Sequence, residues 1–223
     1  MHTPTSFSRG GGFRRPVSQA TRRPDVVSVP PDLLGIVSFG TTAQAVLPLT
    51  PITAPTVLSA PMALVADGNT NMTDALLLGA AMLRELPRSI VRRMVVVGDG
   101  EPNVRTELLA EAVARCREAW VTVETIFCGS DATGEQVLRN ISAATVRGQH
   151  FTAASYRELK DLIVSSASRL HRRQGATVVA IDCSTSMGSV MPGGQTRIAA
   201  AISACQAATL IRRTAFARVG GGR

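Results

Sequence analysis

Apolar residues along this chain follow two alternating rhythms. Runs such as Leu33-Leu-Gly-Ile-Val-Ser-Phe39 and Arg93-Met-Val-Val-Val-Gly-Asp99 are nearly continuous, and the second is β-branched, as strands covered on both faces are. Elsewhere the spacing is helical: over 72–86, Leu76, Leu77, Ala80 and Leu83 form one stripe that stops at Pro87. The pattern predicts strands over 33–39 and 44–50, joined through Gly40-Thr-Thr-Ala43 as a hairpin; Pro48 lacks an amide donor and so assigns the second strand to a sheet edge. A Pro- and Gly-punctuated loop over 51–69 leads to the 72–86 helix and the 93–99 strand. There follow a helix over 106–119, a strand over 121–128, a short helix near 134–144, a short strand over 149–153 and a helix over 155–170. The strand Ala176-Thr-Val-Val-Ala-Ile-Asp182 comes last, with a helix over 196–213 that carries Ile198, Ala201, Ile202, Cys205 and Thr209 on one face. Strands alternating with helices imply the α/β class: a mostly parallel sheet between two helix layers, with one antiparallel edge strand.

Composition sharpens the outline. A chain of 223 residues with 45% hydrophobic but only 4% aromatic residues must build its core from aliphatic side chains and has room for one domain with tails. Residues 1–31 mix Gly, Pro, Ser and Arg with no apolar period, which predicts a disordered basic arm; a single domain over 32–216 and a flexible basic tail over 217–223 complete the division. Charge follows the same division. The net +8 resides in two ends of +4 each, over 1–31 and 212–223, while the 15 basic and 15 acidic residues between them cancel. Any nucleic-acid contact is therefore expected from the ends, not from a groove on the fold. No run of about 18 apolar residues predicts a membrane span, and the N-terminus lacks an apolar leader core, so a cytoplasmic protein is expected. Cys116, Cys128, Cys183 and Cys205 show no C-x-x-C spacing and are expected as buried thiols.

Chemistry concentrates where apolar segments give way to turns, the place where ligands bind in such sheets. Asp182, Ser184 and Ser186 read D-x-S-x-S; Thr70 stands in Gly68-Asn-Thr-Asn-Met-Thr-Asp74; Asp99 stands in Asp99-Gly-Glu-Pro-Asn103. Taken singly, each cluster looks like an ordinary helix cap. Together they offer two carboxylates and three hydroxyls, a hard oxygen set that suits Mg²⁺ or Mn²⁺, with Ca²⁺ as a third candidate.

That conjunction resembles the metal-ion-dependent adhesion site (MIDAS) of the von Willebrand factor type A (VWA) family. The resemblance covers nearly all of 32–211, hairpin included, and implies a Rossmann-like three-layer sandwich. It further implies Ser184, Ser186 and Thr70 as inner metal ligands, Asp182 and Asp99 acting through bound water, and an open position for a partner's carboxylate. Asn71, Gly100, Glu101 and Met187 would then touch that partner. Asn69 and Gly98 depart from the family pattern, which commonly has a glycine and a hydroxyl residue there. The function implied is metal-dependent protein–protein interaction, by adhesion or scaffolding, with no enzymatic activity. Alternatives are a regulatory subunit working in trans with a MoxR- or chelatase-like ATPase, in a stress-response setting, and a metal-dependent phosphohydrolase. The last lacks support, since neither a G-x-S-x-G elbow nor a phosphate-binding G-x-x-x-x-G-K-[ST] loop is present.

Order along the chain is unusual for the family, which places the D-x-S-x-S strand and its helix first. Here they come last, after the connection His171-Arg-Arg-Gln-Gly175, so the domain reads as a circular permutant. Closure within one chain predicts a monomer. A domain-swapped dimer and a fragment of a tandem array are the rival explanations.

Overall fold

A computed structural model describes residues 32–168 and 174–221, with side chains described over 32–165 and 174–214. The arm 1–31, the connection through His171 and the final Gly222 and Arg223 lie outside the described residues. Strands β1 (Leu33–Phe39) and β2 (Ala43–Pro51) form the expected antiparallel hairpin. The stretch that reads as a loop contains a short helix, α1 (Thr56–Ser59), continued by a 3-10 turn over Ala60–Ala63. Val57 and Pro61 are its buried points. Two anchors in eight residues are too few to give a periodic signal.

The remaining elements are α2 (Met72–Arg84), β3 (Val91–Gly98), α3 (Leu109–Glu118), β4 (Thr122–Phe127), α4 (Ala132–Ala143), β5 (Gln149–Thr152), α5 (Tyr156–Ser168), β6 (Gly175–Asp182) and α6 (Arg197–Gly221). α6 runs past Phe216, the domain end expected from the sequence, to Gly221. No proline interrupts it.

The six strands form one sheet in the order β2-β1-β6-β3-β4-β5, parallel throughout except for the β1–β2 pair. β6 lies between β1 and β3, in register Leu33↔Ala176 on one side and Val91↔Gly175 on the other. All eight of its residues are buried, which explains its unbroken apolar run. Helices cover both faces. α5 and α6 close one core with Leu159, Ile163, Ala201 and Cys205, and α2, α3 and α4 close the other with Leu76, Leu83, Ala112 and Leu138. Burying a side chain such as Leu76 contributes about 1.5–3 kcal/mol. The four cysteines are free thiols, all buried.

Asp32 pins three elements together at the lower end of the sheet. Its carboxylate accepts the Gly175 N–H at 2.8 Å and pairs with Arg212 of α6 at 3.0 Å. The start of β1 therefore lies beside both the start of β6 and the far part of α6. At the opposite, upper end, parallel pairing brings the carboxyl ends of β1, β6 and β3 out together.

Candidate metal centre

Val97 of β3 pairs with Ile181 of β6, so the residues that follow, Gly98-Asp99 and Asp182, leave the sheet side by side. Asp182 turns its own chain: its Oδ1 accepts the Ser184 N–H at 2.7 Å, an Asx turn that bends the strand into the 3-10 turn Thr185–Gly188. The turn lines up hydroxyls. Ser184 Oγ lies 3.0 Å from Ser186 Oγ, and Ser186 donates to Asp99 Oδ1 at 2.8 Å. A polar chain thus runs Asp182–Ser184–Ser186–Asp99 across two strand ends.

Thr70 joins through its backbone. Its N–H donates to the Asn103 side-chain oxygen at 2.9 Å, and the Asn103 N–H donates to the Thr70 carbonyl at 3.1 Å. Its hydroxyl is not hydrogen-bonded to either serine or either aspartate. The loop before it is tied to the β6 turn: Asp67 N–H donates to Cys183 O at 2.6 Å, and Gly68 O accepts both the N–H and the hydroxyl of Thr185. Arg105, in a left-handed conformation (φ 54°), pairs with Asp74 and clamps the loop after β3 to the first turn of α2. All three clusters read from the sequence therefore meet at one end of the sheet. Asp182, Ser184, Thr70 and Asp99 are buried there.

Of the four residues expected to touch a partner, Gly100 is half-buried and Glu101 exposed. The other two need correction. Asn71 is buried and is the helix cap of α2: its amide donates to Thr41 O and Asp74 Oδ2, and its side-chain oxygen accepts the Asp74 N–H. Met187 is 0% exposed, with its sulfur 3.9 Å from the Cys128 thiol, and belongs to the core. Neither has surface to offer.

One residue outside the motifs enters the group. Arg197, the first residue of α6, donates through the same nitrogen to Asp99 Oδ2 at 2.5 Å and to the Ser186 carbonyl at 3.2 Å. Its trace in the sequence is a cation at a helix N-terminus, where the macrodipole disfavours positive charge, a local conflict that signals a specific anionic partner.

Electrostatically, Asp182 is the uneasy member. Burial pushes its carboxyl up to about 7, with the Asp99 charge adding to the rise and hydrogen bonds from Ser184 and from the Asp99 backbone opposing it. Its Oδ2 is buried without a hydrogen bond of normal geometry among the described residues. At Gly98 an added Cβ would sit 3.2 Å from that oxygen, a crowded contact, and glycine leaves the space beside Oδ2 open. An unsatisfied buried acceptor costs about 1–3 kcal/mol. Burial and the Asp182 charge push the thiol of Cys183, next in the chain, up to about 12. Burial raises the Cys128 thiol as well.

Among the described residues no three His, Cys, Asp or Glu side chains converge as a metal cluster, so a cation at this end would depend on hydroxyl donors. Two carboxylates, one of them with an oxygen lacking a normal hydrogen bond, and two linked serine hydroxyls fit a hard, partly hydrated cation.

A sequence model of the von Willebrand factor type A domain matches residues 18–164. The chain belongs to that family. The matched stretch of the type A domain runs from before β1 into α5 and stops short of β6. Among solved structures, the chain is similar to an uncharacterized membrane spanning protein from Vibrio fischeri, at 24% identity over 61% of this chain and 75% of that one, with a TM-score of 0.29. No curated protein matches. Among the described residues, no helix is long and apolar enough to cross a membrane.

Proposed function

We propose that this type A domain is a protein-interaction module that recognises an acidic side chain of its partner through a Mg²⁺ or Mn²⁺ ion. The observation that carries the proposal is the bare, buried Oδ2 of Asp182, at one end of a polar chain reaching Asp99 through two serine hydroxyls. Ser184, Ser186 and Thr70 would hold the ion, with Asp182 and Asp99 orienting its waters, and Gly100 and Glu101 form the rim that meets the partner. When bound, the ion supplies a positive site for a carboxylate. The protein's own residues supply placement: the Asx turn fixes Ser184, and Asn103 fixes the Thr70 backbone.

Binding, not catalysis, is favoured by what surrounds the site. The thiol beside Asp182 stays protonated at neutral pH, and the described histidine, His150, is engaged on β5 with Thr125 and Glu135. We further infer circular permutation, supported by a family match that ends before β6 although β6 occupies the centre of the sheet.

Thermal unfolding with added Mn²⁺ tests the metal. The wild-type midpoint should rise with concentration by mass action, reflecting about 2.7 kcal/mol of added stability at a hundredfold excess over Kd. Asp182→Ala should show no such rise. Equal responses would place the ion elsewhere. Capture of a partner should likewise vanish in EDTA and return with Mg²⁺.

A further inference from the structure

We propose that Arg197 is the resident counter-cation of this centre, and that a divalent ion binds there by exchange with its guanidinium. The inference rests on the metal reading above, and the experiment below separates the two.

Both oxygens of the Asp99 carboxylate are engaged: Oδ1 accepts the Ser186 hydroxyl and Oδ2 accepts Arg197 Nη1. That same nitrogen reaches the Ser186 carbonyl, so the guanidinium sits against the Ser186–Asp99 end of the hydroxyl chain. A dication arriving at Ser186 and Asp99 would meet a like charge at close range, where repulsion in a half-buried setting amounts to several times its value in water. One of the two cations has to go.

Arg197 is the one able to leave. Its side chain is 18% exposed, whereas that of Asp99 is 0% exposed, and a flexible stem gives the guanidinium a route to solvent without any movement of the backbone. Nothing in its own helix retains it: Arg197 opens α6, at the positive end of the dipole, with no acidic residue in the first turn. Asp99 holds it there, and a metal that neutralises Asp99 removes the reason for it to stay. In the absence of metal the same contact is useful, because it keeps Asp99 from facing the buried Asp182 unneutralised.

Removing the guanidinium should therefore move two quantities in opposite directions. A residue with a purely structural role would lower both when removed.

The experiment is a Mn²⁺ titration of the full chain, followed by loss of the free-ion EPR signal, with thermal unfolding in EDTA measured alongside. Arg197→Gln should bind Mn²⁺ about tenfold more tightly than wild type, a coupling of ordinary size, while unfolding at a lower temperature in EDTA. Arg197→Lys keeps the charge and should stay close to wild type in affinity. If wild type binds Mn²⁺ and Arg197→Gln binds it equally or more weakly, exchange is overturned and the metal reading stands. If neither protein binds, both are overturned. Should Arg197→Gln fail to fold, the wild-type side-chain Nε–Hε resonance of Arg197 decides. It should move on Mg²⁺ addition, and a resonance unmoved under Mg²⁺ saturation overturns the exchange.

Discussion

A carboxylic acid with no exposed surface must be protonated, compensated or charged at a cost, and Asp182 sits where neutral pH decides between these states. Its folded pKa of about 7 lies above the ordinary aspartate value near 3.9, so the folded state binds the extra proton between those limits. Stability linked to Asp182 is thus fully present below about pH 4, declines as pH rises through the window and levels off above about 7. Each pH unit between those limits is worth roughly 1.4 kcal/mol, so the total decline is of order 4 kcal/mol in metal-free buffer. Asp182→Asn cannot titrate and should lose this slope, becoming the more stable protein above pH 7. Urea midpoints in EDTA at pH 5, 6, 7 and 8 check this, and parallel slopes for the two proteins would refute it. The site residues differ in how far the chain announces them. Asp182, Ser184 and Ser186 stand at alternate positions of one short stretch, and their strand-then-turn context is readable. The partnership of Arg197 with Asp99 spans 98 residues and leaves only a misplaced charge as its trace. Met187 looks available in the sequence because it follows the motif, but a 3-10 turn repeats every three residues, so Met187 falls on the same buried side as Ser184 while Thr185 and Ser186 face outward.

Among the elements, the strands and long helices are legible because each repeats one chemical instruction for many residues. α1 is not, nor is the packing that aims Asp99. Two glycines set that aim: a Cβ at Gly129, just after β4, would lie 1.9 Å from the Asp99 carbonyl oxygen, and one at Gly134, in the first turn of α4, would lie 2.5 Å from the Gly100 carbonyl carbon. Both clashes are with backbone, which has no rotamer to yield. The β4–α4 corner therefore serves as a mould for the loop that carries Asp99. Gly129→Ala should cost about 3 kcal/mol, at the upper end for overpacking, and should also weaken the Mn²⁺ response by displacing Asp99. Denaturant midpoints together with Mn²⁺ titration measure both effects. A variant of unchanged stability would mean that the loop moves freely. Sequence alone shows glycines at these two places, but not that another loop's backbone presses against them.

At the scale of the molecule, the contacts of Asp32 offer a test of the proposed permutation. Because its carboxylate reaches both Arg212 of α6 and the start of β6, the Arg212 turn of α6 and the start of β1 are neighbours in space, and α6 continues from there to Gly221. A reordered chain in which 175–221 precedes 32–168, with a short Gly/Ser linker between α6 and β1, should fold to a monomer with a melting temperature within a few degrees of the parent. Size-exclusion chromatography and thermal unfolding give the answer, and an unfolded or obligately dimeric product would count against permutation. The central position of β6 has a further consequence, one of timing. Its partner β1 precedes it by 143 residues, as measured at the Asp32–Gly175 contact, so during translation both β1 and β3 leave the ribosome long before the strand that joins them. Until then the hairpin and the β3–β4–β5 half expose two open parallel edges lined with Val, Ile and Leu, and closing so long a loop is slow. The nascent chain thus passes through an extended interval in which holdase chaperones or a neighbouring nascent copy compete with β6 for the same two edges.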